Sequence, residues 1–463
     1  MGGNVVAEVS STQMILGLVI GIGVLLFLSI KTKVHTFLAL IFAAMITGLI
    51  GGMDVSSVLS SITTGFGNTL SSTGIIIGLG VMMGAVLEKS GAAEQLAFSV
   101  IKLVGKKKEE WALGITGYIV SIPVFADSAL VILTPLAKAL SKVSGKSAVS
   151  LGLSLAIGLQ LTHTFVPPTP GPLTVAGLLG VDVGVMILSG VLVTIIPFIL
   201  CINYCKWLGT KIYQIPSEDG DGYIKKDFKK EYLKEIENVE ELMKDKDLPP
   251  ILMSVLPILV PLIMIFANTI CGFVGFESEI IKFFGSPIVA LSVGVLIAVY
   301  GLAKDKDKST IMSYMEDGIK STGMIMLITG AGGALGFIVK DSGIGTALGE
   351  LVVSLPIPAI LIPFIIAVLM RLALGSATVA LTTAATLTAP LLAVVGLNPI
   401  AAAMATCAGG VAFSYFNDSG FWVFNGMYGL KDIKDQMYAK TAISLIGSFS
   451  ALAVVIIANL LFF

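Results

Sequence analysis

Charge is scarce in this sequence, and arginine is almost absent from it. Only 13% of the 463 residues are charged, while 55% are hydrophobic. A soluble domain has about a quarter of charged residues, so the composition excludes that class and predicts a polytopic membrane protein. The net charge of −1 lacks the basic excess of a nucleic-acid-binding protein, and we expect no nucleic-acid partner.

The chain also has few residues that could bind a metal. It contains four cysteines and two histidines. Cys201 and Cys205 stand one helical turn apart at the end of an apolar run, where we interpret them as core residues. We therefore expect no metal and no cofactor. The N-terminus lacks a basic region and a clear cleavage site, so we expect the first apolar run to remain as a span.

The single arginine, Arg371, stands in the sequence Arg-Leu-Ala-Leu-Gly-Ser-Ala-Thr between two apolar runs. The other 28 basic residues are lysines. A guanidinium differs from an ammonium in its rigid fork of donors, which matches a carboxylate bidentately. An ionisable residue at membrane depth indicates function. We predict that Arg371, with Gly375, Ser376 and Thr378, binds an anionic substrate.

Apolar runs long enough to cross a bilayer contain roughly 17–25 residues. Several longer apolar runs contain a polar, glycine or proline interruption, and they are not counted among the uninterrupted spans. The predicted uninterrupted spans are 12–30, 35–52, 72–88, 183–205, 250–270, 285–303, 322–339 and 438–462.

Four longer segments are interrupted. Residues 147–180 contain four prolines within Pro167–Pro172, and 398–429 contain Phe-Asn-Asp-Ser-Gly at 416–420; both are predicted to be broken helices. Residues 111–142 and 358–391 are too long for one span and too short for two. We predict that each is a re-entrant hairpin, which enters the membrane and returns to the same side.

Lysines orient these segments by the positive-inside rule. Lysines flank both ends of 111–142, so we predict that this hairpin opens to the cytoplasm, and 358–391, which has none at its ends, to the outside. The polar segment 206–248 is predicted to be a cytoplasmic linker. Within it, near-helical spacing predicts a helix through Phe228, Tyr232, Leu233, Ile236, Val239 and Leu242.

The two halves of the chain resemble each other. Gly84–Gly91 aligns with Gly336–Gly343, and each copy precedes a hairpin, a broken helix and a final span. Each half is predicted to have five spans. Because this number is odd, the second half crosses the membrane in the opposite direction to the first. We predict an all-α inverted repeat, with membrane repeats at 1–205 and 249–463. Broken helices that meet at the midplane of such repeats mark the substrate site of secondary transporters.

The predicted site gathers the polar residues at these four interruptions, because irregular backbone at membrane depth is tolerated where it lines a cavity. Serines and threonines can instead bond back to their own helix, Asp127 and Asp418 can be helix caps, and His163 can be a packing residue. The candidate residues for carrying a proton are Asp127, Asp418 and, as an alternative, His163. The other predicted substrate-binding residues are Ser128, Thr164, Pro168, Thr169, Asn417 and Ser419.

These stretches resemble the gluconate permease (GntP) family over nearly the whole chain. The resemblance is carried by Phe125–Ser128, Thr162-His163 with Val166–Pro172, Arg371 with Gly375–Ala380, and Asn417–Trp422. It implies proton-coupled uptake of gluconate or a related hydroxy acid across a bacterial inner membrane. It also implies a homodimer and an elevator-like movement.

Several functions remain open from the sequence. A sodium-coupled carboxylate transporter and a D-serine or glycerate permease are alternatives to proton-coupled symport. An intramembrane enzyme with Asp127, His163 and Ser128 as its catalytic set is a remote alternative, because no nucleophile stands on a sharp elbow. A channel is equally remote, since it does not need two oppositely opening hairpins. We therefore predict a transporter without catalytic residues.

Overall fold

The structure is a computed structural model, and it describes residues 10–104, 107–217, 222–234, 248–276, 278–304, 306–344, 347, 357–415 and 418–462. The described residues are almost entirely helical, as the sequence predicts. Six segments among them are long and apolar enough to cross a membrane, or seven if a bent pair of segments counts as one span. The prediction of an all-α polytopic membrane protein is therefore confirmed.

Nine helices form the described part of the first half of the chain. Their bounds are α1 Ser11–Lys31, α2 Thr36–Ile50, α3 Val55–Lys89, α4 Ala92–Val104, α5 Glu109–Val120, α6 Ala126–Ser144, α7 Ala148–Phe165, α8 Pro170–Leu179 and α9 Val183–Lys211.

The described part of the second half repeats a similar order of helix lengths. Its helices are α10 Ile251–Phe273, α11 Glu279–Phe284, α12 Pro287–Leu302, α13 Lys308–Asp341, α14 Leu361–Leu374, α15 Ala377–Thr388, α16 Leu392–Val395, α17 Pro399–Val411, α18 Ser419–Met427, α19 Ile433–Gln436 and α20 Ala442–Phe462. A 3-10 turn at Ala389–Leu391 precedes α16, and a π-helical stretch at Met437–Thr441 precedes α20. The inverted relation of the halves stays a prediction.

Helices α3 and α13 begin earlier than the predicted spans at 72 and 322. Asp54 caps α3 by accepting a hydrogen bond from the backbone N–H of Ser57 at 3.0 Å. Asp307 caps α13 in the same way, through Ser309 and Thr310. The polar first turns lower the apolar signal, but the capping groups still satisfy the free amides of each helix start. The two helices therefore extend beyond the N-terminal ends of the predicted spans, whose own bounds stay a prediction.

The first broken helix forms the core of the molecule. In the segment Ala148–Leu179, 89% of residues are buried, against 22% in Ser11–Leu28. The break lies between Phe165 and Pro170, at the run of prolines. Proline lacks a backbone N–H and cannot continue a helix, so the sequence itself interrupts the most buried part of the fold.

Both segments predicted as hairpins contain two helices whose outer ends lie together. Helices α5 and α6 are joined by residues 121–125, and Lys146 beyond α6 contacts Glu109 and Glu110 at the start of α5, at 2.7 and 2.5 Å. Helices α14 and α15 are joined at Gly375 and Ser376. The outer ends of that second pair, at 358–360 and 396–398, line one cavity.

The predicted helix in the linker is wrong over the part of it that the structure describes, residues 228–234. Helix α9 ends at Lys211, and the chain then forms two antiparallel strands, β1 Gln214–Pro216 and β2 Tyr223–Lys225, with Ile215 opposite Ile224. A 3-10 turn follows at Lys230–Tyr232. The connecting sequence Glu-Asp-Gly-Asp-Gly favours turns over helix. The predicted helical residues Ile236, Val239 and Leu242 lie outside the described residues.

Aromatic packing and hydrogen bonds attach strands β1 and β2 and the residues next to them to the surrounding helices. The ring of Tyr213 stacks on that of Tyr232, with centroids 5.7 Å apart, and its hydroxyl donates to the carbonyl of Gly145 at 2.8 Å. The Tyr223 hydroxyl donates to the carbonyl of Met427 at 2.6 Å. The linker therefore contacts both the first hairpin and the second broken helix.

Candidate functional site

A cavity of about 190 Å³ lies where the four interrupted segments meet. The first hairpin, the first broken helix, the second hairpin and the second broken helix each contribute to its wall. Asp127 and Ser376 are exposed, so water reaches the cavity. Its lining residues are Phe125, Ala126, Asp127, Leu130, Ala156, Leu159, Gln160, His163, Thr164, Arg371, Ser376, Ala377, Thr378, Asp418, Gly420 and Lys440.

Arg371 lies in the last turn of α14 and is only 2% exposed. Helix α14 ends at Gly375, whose φ of +76° is a conformation that favours glycine. The arginine Nη2 donates to Oδ2 of Asp418 at 2.5 Å, while its Nε and Nη1 have no hydrogen-bond partner among the described residues. The guanidinium is therefore paired on one side, and two of its donor atoms are buried without a partner among the described residues, in a side chain that lines the cavity.

Asp418 is held by three donors as well as by charge. It is the N-cap of α18, where its Oδ1 accepts from the backbone N–H of Gly420 at 3.1 Å. Its Oδ2 accepts from Arg371 and also from the Ser414 hydroxyl, which is 2.5 Å away. Asp418 is therefore both a helix cap and the ion-pair partner of the arginine, while its role as a proton carrier stays a prediction.

Asp127 lies on the opposite side of Gly420, in the first turn of α6. A Cβ atom placed on Gly420 would come 3.2 Å from Asp127 Oδ1 and 3.5 Å from Asp418 Oδ1. Glycine at this position therefore lets the two carboxylates approach the same backbone. The cavity combines these two acids with the guanidinium.

His163 lies near the end of α7, between the tips of the two hairpins. Its Nε2 is 3.4 Å from the Thr378 hydroxyl, and its ring centroid is 5.8 Å from that of Phe125. Its Nδ1 is buried and has no hydrogen-bond partner in the described chain. The imidazole therefore contacts both hairpins, and its role as a proton carrier stays a prediction.

The structure brings most predicted site residues together, but not all. Thr164 lines the cavity, although its hydroxyl donates back to the Gln160 carbonyl at 2.7 Å. Gly375 is buried at the end of α14 and acts through the backbone turn. Asn417 lies outside the described residues, and of Ser419 the structure describes only the backbone at the start of α18.

Three further predicted residues lie apart from the cavity lining among the described residues: Ser128, Pro168 and Thr169. The Thr169 hydroxyl donates to the carbonyls of Val166 and His163, at 2.8 and 3.0 Å. Pro168 packs against Gly80 of α3, whose Cβ position is 3.4 Å from the proline carbonyl oxygen. These last two residues shape the break, and their predicted substrate contact stays a prediction.

Two polar side chains that line the cavity were missed by the sequence analysis. Lys440 stands near the start of the last apolar run, where a lysine is easily taken for a flanking residue whose ammonium reaches water. Gln160 stands in the otherwise apolar α7. An amide side chain in a fully buried helix, and a lysine inside rather than before a span, are the signals that could have found them.

The arrangement can bind a small anion. A buried guanidinium with unused donors, hydroxyls from Ser376 and Thr378, and helix ends that meet at a cavity together suit a carboxylate with hydroxyl groups. A polar cavity between interrupted helices is typical of secondary transporters among helical membrane proteins.

The comparisons with known proteins agree with that class. The chain belongs to the GntP permease family, which it matches over residues 13–461. It is 47% identical to an uncharacterised permease of Haemophilus influenzae, over 97% of this chain and 92% of that protein. It is 31% identical to a high-affinity gluconate transporter of Escherichia coli, over 96% of this chain and 98% of that protein.

The fold has a counterpart among solved structures. The YdaH transporter of Alcanivorax borkumensis superposes with a TM-score of 0.65 at 15% identity, covering 91% of this chain and 97% of that one.

The predicted membership of the gluconate permease family is confirmed. The chain is a multi-pass transporter of the bacterial inner membrane, not an enzyme, and its relatives support gluconate-like substrates.

Proposed function

We propose that the protein carries gluconate or a related small hydroxy-carboxylate into the cell together with protons, by an elevator-like movement. The observation that carries this proposal is the buried Arg371–Asp418 ion pair at the cavity, with Nε and Nη1 of the arginine unused by the described chain. A substrate carboxylate is a natural acceptor for such donors, because a guanidinium matches it in shape and charge.

The side chains next to Arg371 would bind the hydroxyl groups of the substrate. Ser376 and Thr378 stand at the start of α15, and both line the cavity. Each hydroxyl can donate one hydrogen bond and accept others. A hydroxy acid that places its carboxylate on Arg371 would therefore find partners for its neighbouring hydroxyls, whereas a plain fatty acid would leave these groups without partners, at a cost in binding.

Proton coupling follows if substrate competes with Asp418 for the guanidinium. A buried carboxylate that loses its ion pair carries an uncompensated charge, and taking up a proton removes that cost. Asp127 and His163 line the same cavity and can pass the proton to or from water. Binding of substrate and binding of a proton would then support each other.

Close backbone contacts support the elevator-like movement. In α3 the Cβ position of Gly84 is 2.2 Å from the carbonyl oxygen of Pro123, near the tip of the first hairpin. In α13 the Cβ position of Gly336 is 2.9 Å from a methyl group of Thr386 in the second hairpin. Glycine lets the long helices lie flat against the segments that carry the cavity, which suits one part sliding along the other.

Transport in proteoliposomes tests this function directly. Purified protein is reconstituted, and uptake of labelled gluconate is measured with an inward proton gradient, with an inward sodium gradient, and with neither. We expect accumulation with the proton gradient only, and its loss on addition of a protonophore. Accumulation driven by sodium instead would reject proton coupling, and would assign the carbonyls of the broken helices to a sodium site.

The carried acid is tested in the same vesicles. Unlabelled gluconate, glycerate, D-serine and a fatty acid without hydroxyls are added in turn as competitors. We expect the hydroxy acids to compete and the fatty acid to be without effect. Competition by D-serine alone would make the protein an amino-acid permease.

A further inference from the structure

Lys440 is a buried ammonium at the cavity that lacks an ion-pair partner in the described chain. The residue is 5% exposed. Its Nζ is 3.4 Å from Oε1 of Gln160 and 5.8 Å from the centroid of the Phe424 ring. An ammonium has three donors, and these two weak contacts leave most of its hydrogen-bonding capacity unused. A buried charge with so few partners is costly unless a ligand supplies acceptors.

The backbone around Lys440 is built to hold it at this place. The residue belongs to the π-helical stretch Met437–Thr441, and such single wide turns inside α-helices are frequent at functional sites. The next residue, Thr441, donates its hydroxyl to the carbonyl of Ser414 at 2.6 Å. The lysine is thereby fixed to the segment that carries Asp418.

Gln160 orients the ammonium from the other side of the cavity. Its Nε2 donates to the carbonyl of Val411, the last residue of α17, at 3.4 Å. That bond turns Oε1 towards Lys440. Both residues line the cavity that contains Arg371, and they belong to different elements from the arginine, so they form a second polar group on its wall.

We propose that Lys440, oriented by Gln160, is a second substrate anchor that binds hydroxyl oxygens along the carbon chain, while Arg371 binds the carboxylate. The inference rests on the proposed function and deepens it, because two anchors select polyhydroxy monocarboxylates of sufficient length. An ammonium is a compact donor without the planar fork of a guanidinium, which suits scattered hydroxyls better than a carboxylate. On this proposal, a short hydroxy acid held at Arg371 gains less from Lys440 than a longer one does.

Chain-length dependence of binding tests the proposal. Affinities for gluconate, with six carbons, and glycerate, with three, are measured by calorimetry on purified wild-type protein and on Lys440→Met, which keeps the length of the side chain but removes its charge. We expect gluconate binding to weaken at least tenfold and glycerate binding less than threefold. Lys434→Met, an exposed lysine near the start of the same run of helix, is the matched control and should leave both affinities unchanged.

Other outcomes overturn the proposal. Equal weakening for both acids would place Lys440 at the carboxylate, and no weakening for either would make it a structural residue. If Lys440→Met does not fold, Gln160→Leu gives the same comparison and should show the same length dependence. A wild-type protein that binds neither acid would reject the proposed function, and with it this inference; failure of the inference alone leaves wild-type binding intact.

Discussion

At the residue scale, Arg371 is the buried charged residue on which the proposed substrate binding depends. Its side chain is almost fully buried and donates to Asp418, yet Nε and Nη1 have no partner among the described residues. Arg371→Lys keeps the charge and loses the fork. We expect substrate binding to weaken by about 1.5–3 kcal/mol, the scale of a charge-assisted hydrogen bond, in calorimetric titrations with gluconate.

The control for this substitution is the behaviour of the empty protein. A lysine can still pair with Asp418, so elution on gel filtration and thermal denaturation of Arg371→Lys should match wild type. Binding at wild-type affinity would remove Arg371 from the substrate site and leave the ion pair as a structural feature of the second half of the chain.

Gly420 gives a second prediction at this scale. Gly420→Ala places a methyl group between two carboxylates, 3.2 Å from Asp127 Oδ1, so one of them must shift. Gly426 lies in the same helix with nothing within 4 Å of its Cβ position, and Gly426→Ala is the matched control. Both changes favour the helix by up to about 1 kcal/mol, so their difference isolates the contact. We expect uptake in proteoliposomes to fall at least tenfold for Gly420→Ala only; equal uptake by both variants would contradict this role.

The sequence predicted the arginine and the acids of the site but missed Lys440 and Gln160. A single arginine among lysines is visible in composition, and Asp418 stands out in a helix break. Lysines commonly flank the ends of membrane spans, so Lys440 does not stand out in the sequence. Its π-helical stretch and its distance to Gln160 show that it lies at the cavity. Such tertiary placement is not encoded in spacing.

At the scale of elements, an ion-pair cluster closes the base of the first hairpin. Lys146 contacts Glu109 and Glu110, whose exposed fractions are only 3% and 5%. Lys146→Met leaves two buried carboxylates without their cation. Breaking a buried pair from one side typically costs 3–5 kcal/mol, and we expect about 3 kcal/mol here because Lys146 itself is partly exposed. Unfolding by SDS in mixed micelles measures the loss.

Lys320→Met provides the comparison for an exposed pair. Lys320 and Asp317 are 3.6 Å apart on the surface of α13, and such pairs contribute at most about 1 kcal/mol. A loss for Lys146→Met no larger than that of Lys320→Met would show that the cluster does not hold the hairpin together.

The same cluster has a defined dependence on pH. Burial alone would lower the pKa of Lys146, but Glu110 and Glu109 outweigh it and raise this pKa above its ordinary value of 10.5. The cluster's stabilisation by protonated Lys146 is therefore complete below pH 10.5 and is lost only as the pH rises through the raised value. The hairpin base should thus be insensitive to pH over the physiological range.

The elements themselves were predicted best where the signal was strong and local. Proline and glycine breaks located the interruptions of the two broken helices closely. The structure of the linker was harder to predict. The spacing of Phe228 and Tyr232 is compatible with a helix, but it also lets both rings pack on Tyr213 without one. Turn-forming residues between β1 and β2 decided the outcome, and the aromatic contacts came from tertiary packing.

For the whole molecule, the predicted membrane orientation can be tested by labelling. Single cysteines at positions 354, 398 and 107 are introduced after the native cysteines are replaced; three of these are buried and Cys271 is half-buried. Lysines around the first hairpin predict a cytoplasmic position for 107, and their absence around the second predicts external positions for 354 and 398. An impermeant maleimide applied to intact cells should label positions 354 and 398 but not 107. Protection of both positions would contradict an external opening of the second hairpin.

The balance of charge at the cavity has a consequence for how the protein uses energy. Arg371 and Lys440 offset Asp127 and Asp418, so the empty cavity is close to neutral. One monoanionic substrate with one proton adds no net charge, and the loaded cavity stays neutral. If, as proposed, one such substrate moves with one proton, the membrane voltage does no work on the movement and the pH difference alone drives uptake. A potassium diffusion potential set with valinomycin should leave the initial rate of gluconate uptake unchanged, so that a cell with a collapsed voltage but an acidic exterior would still feed.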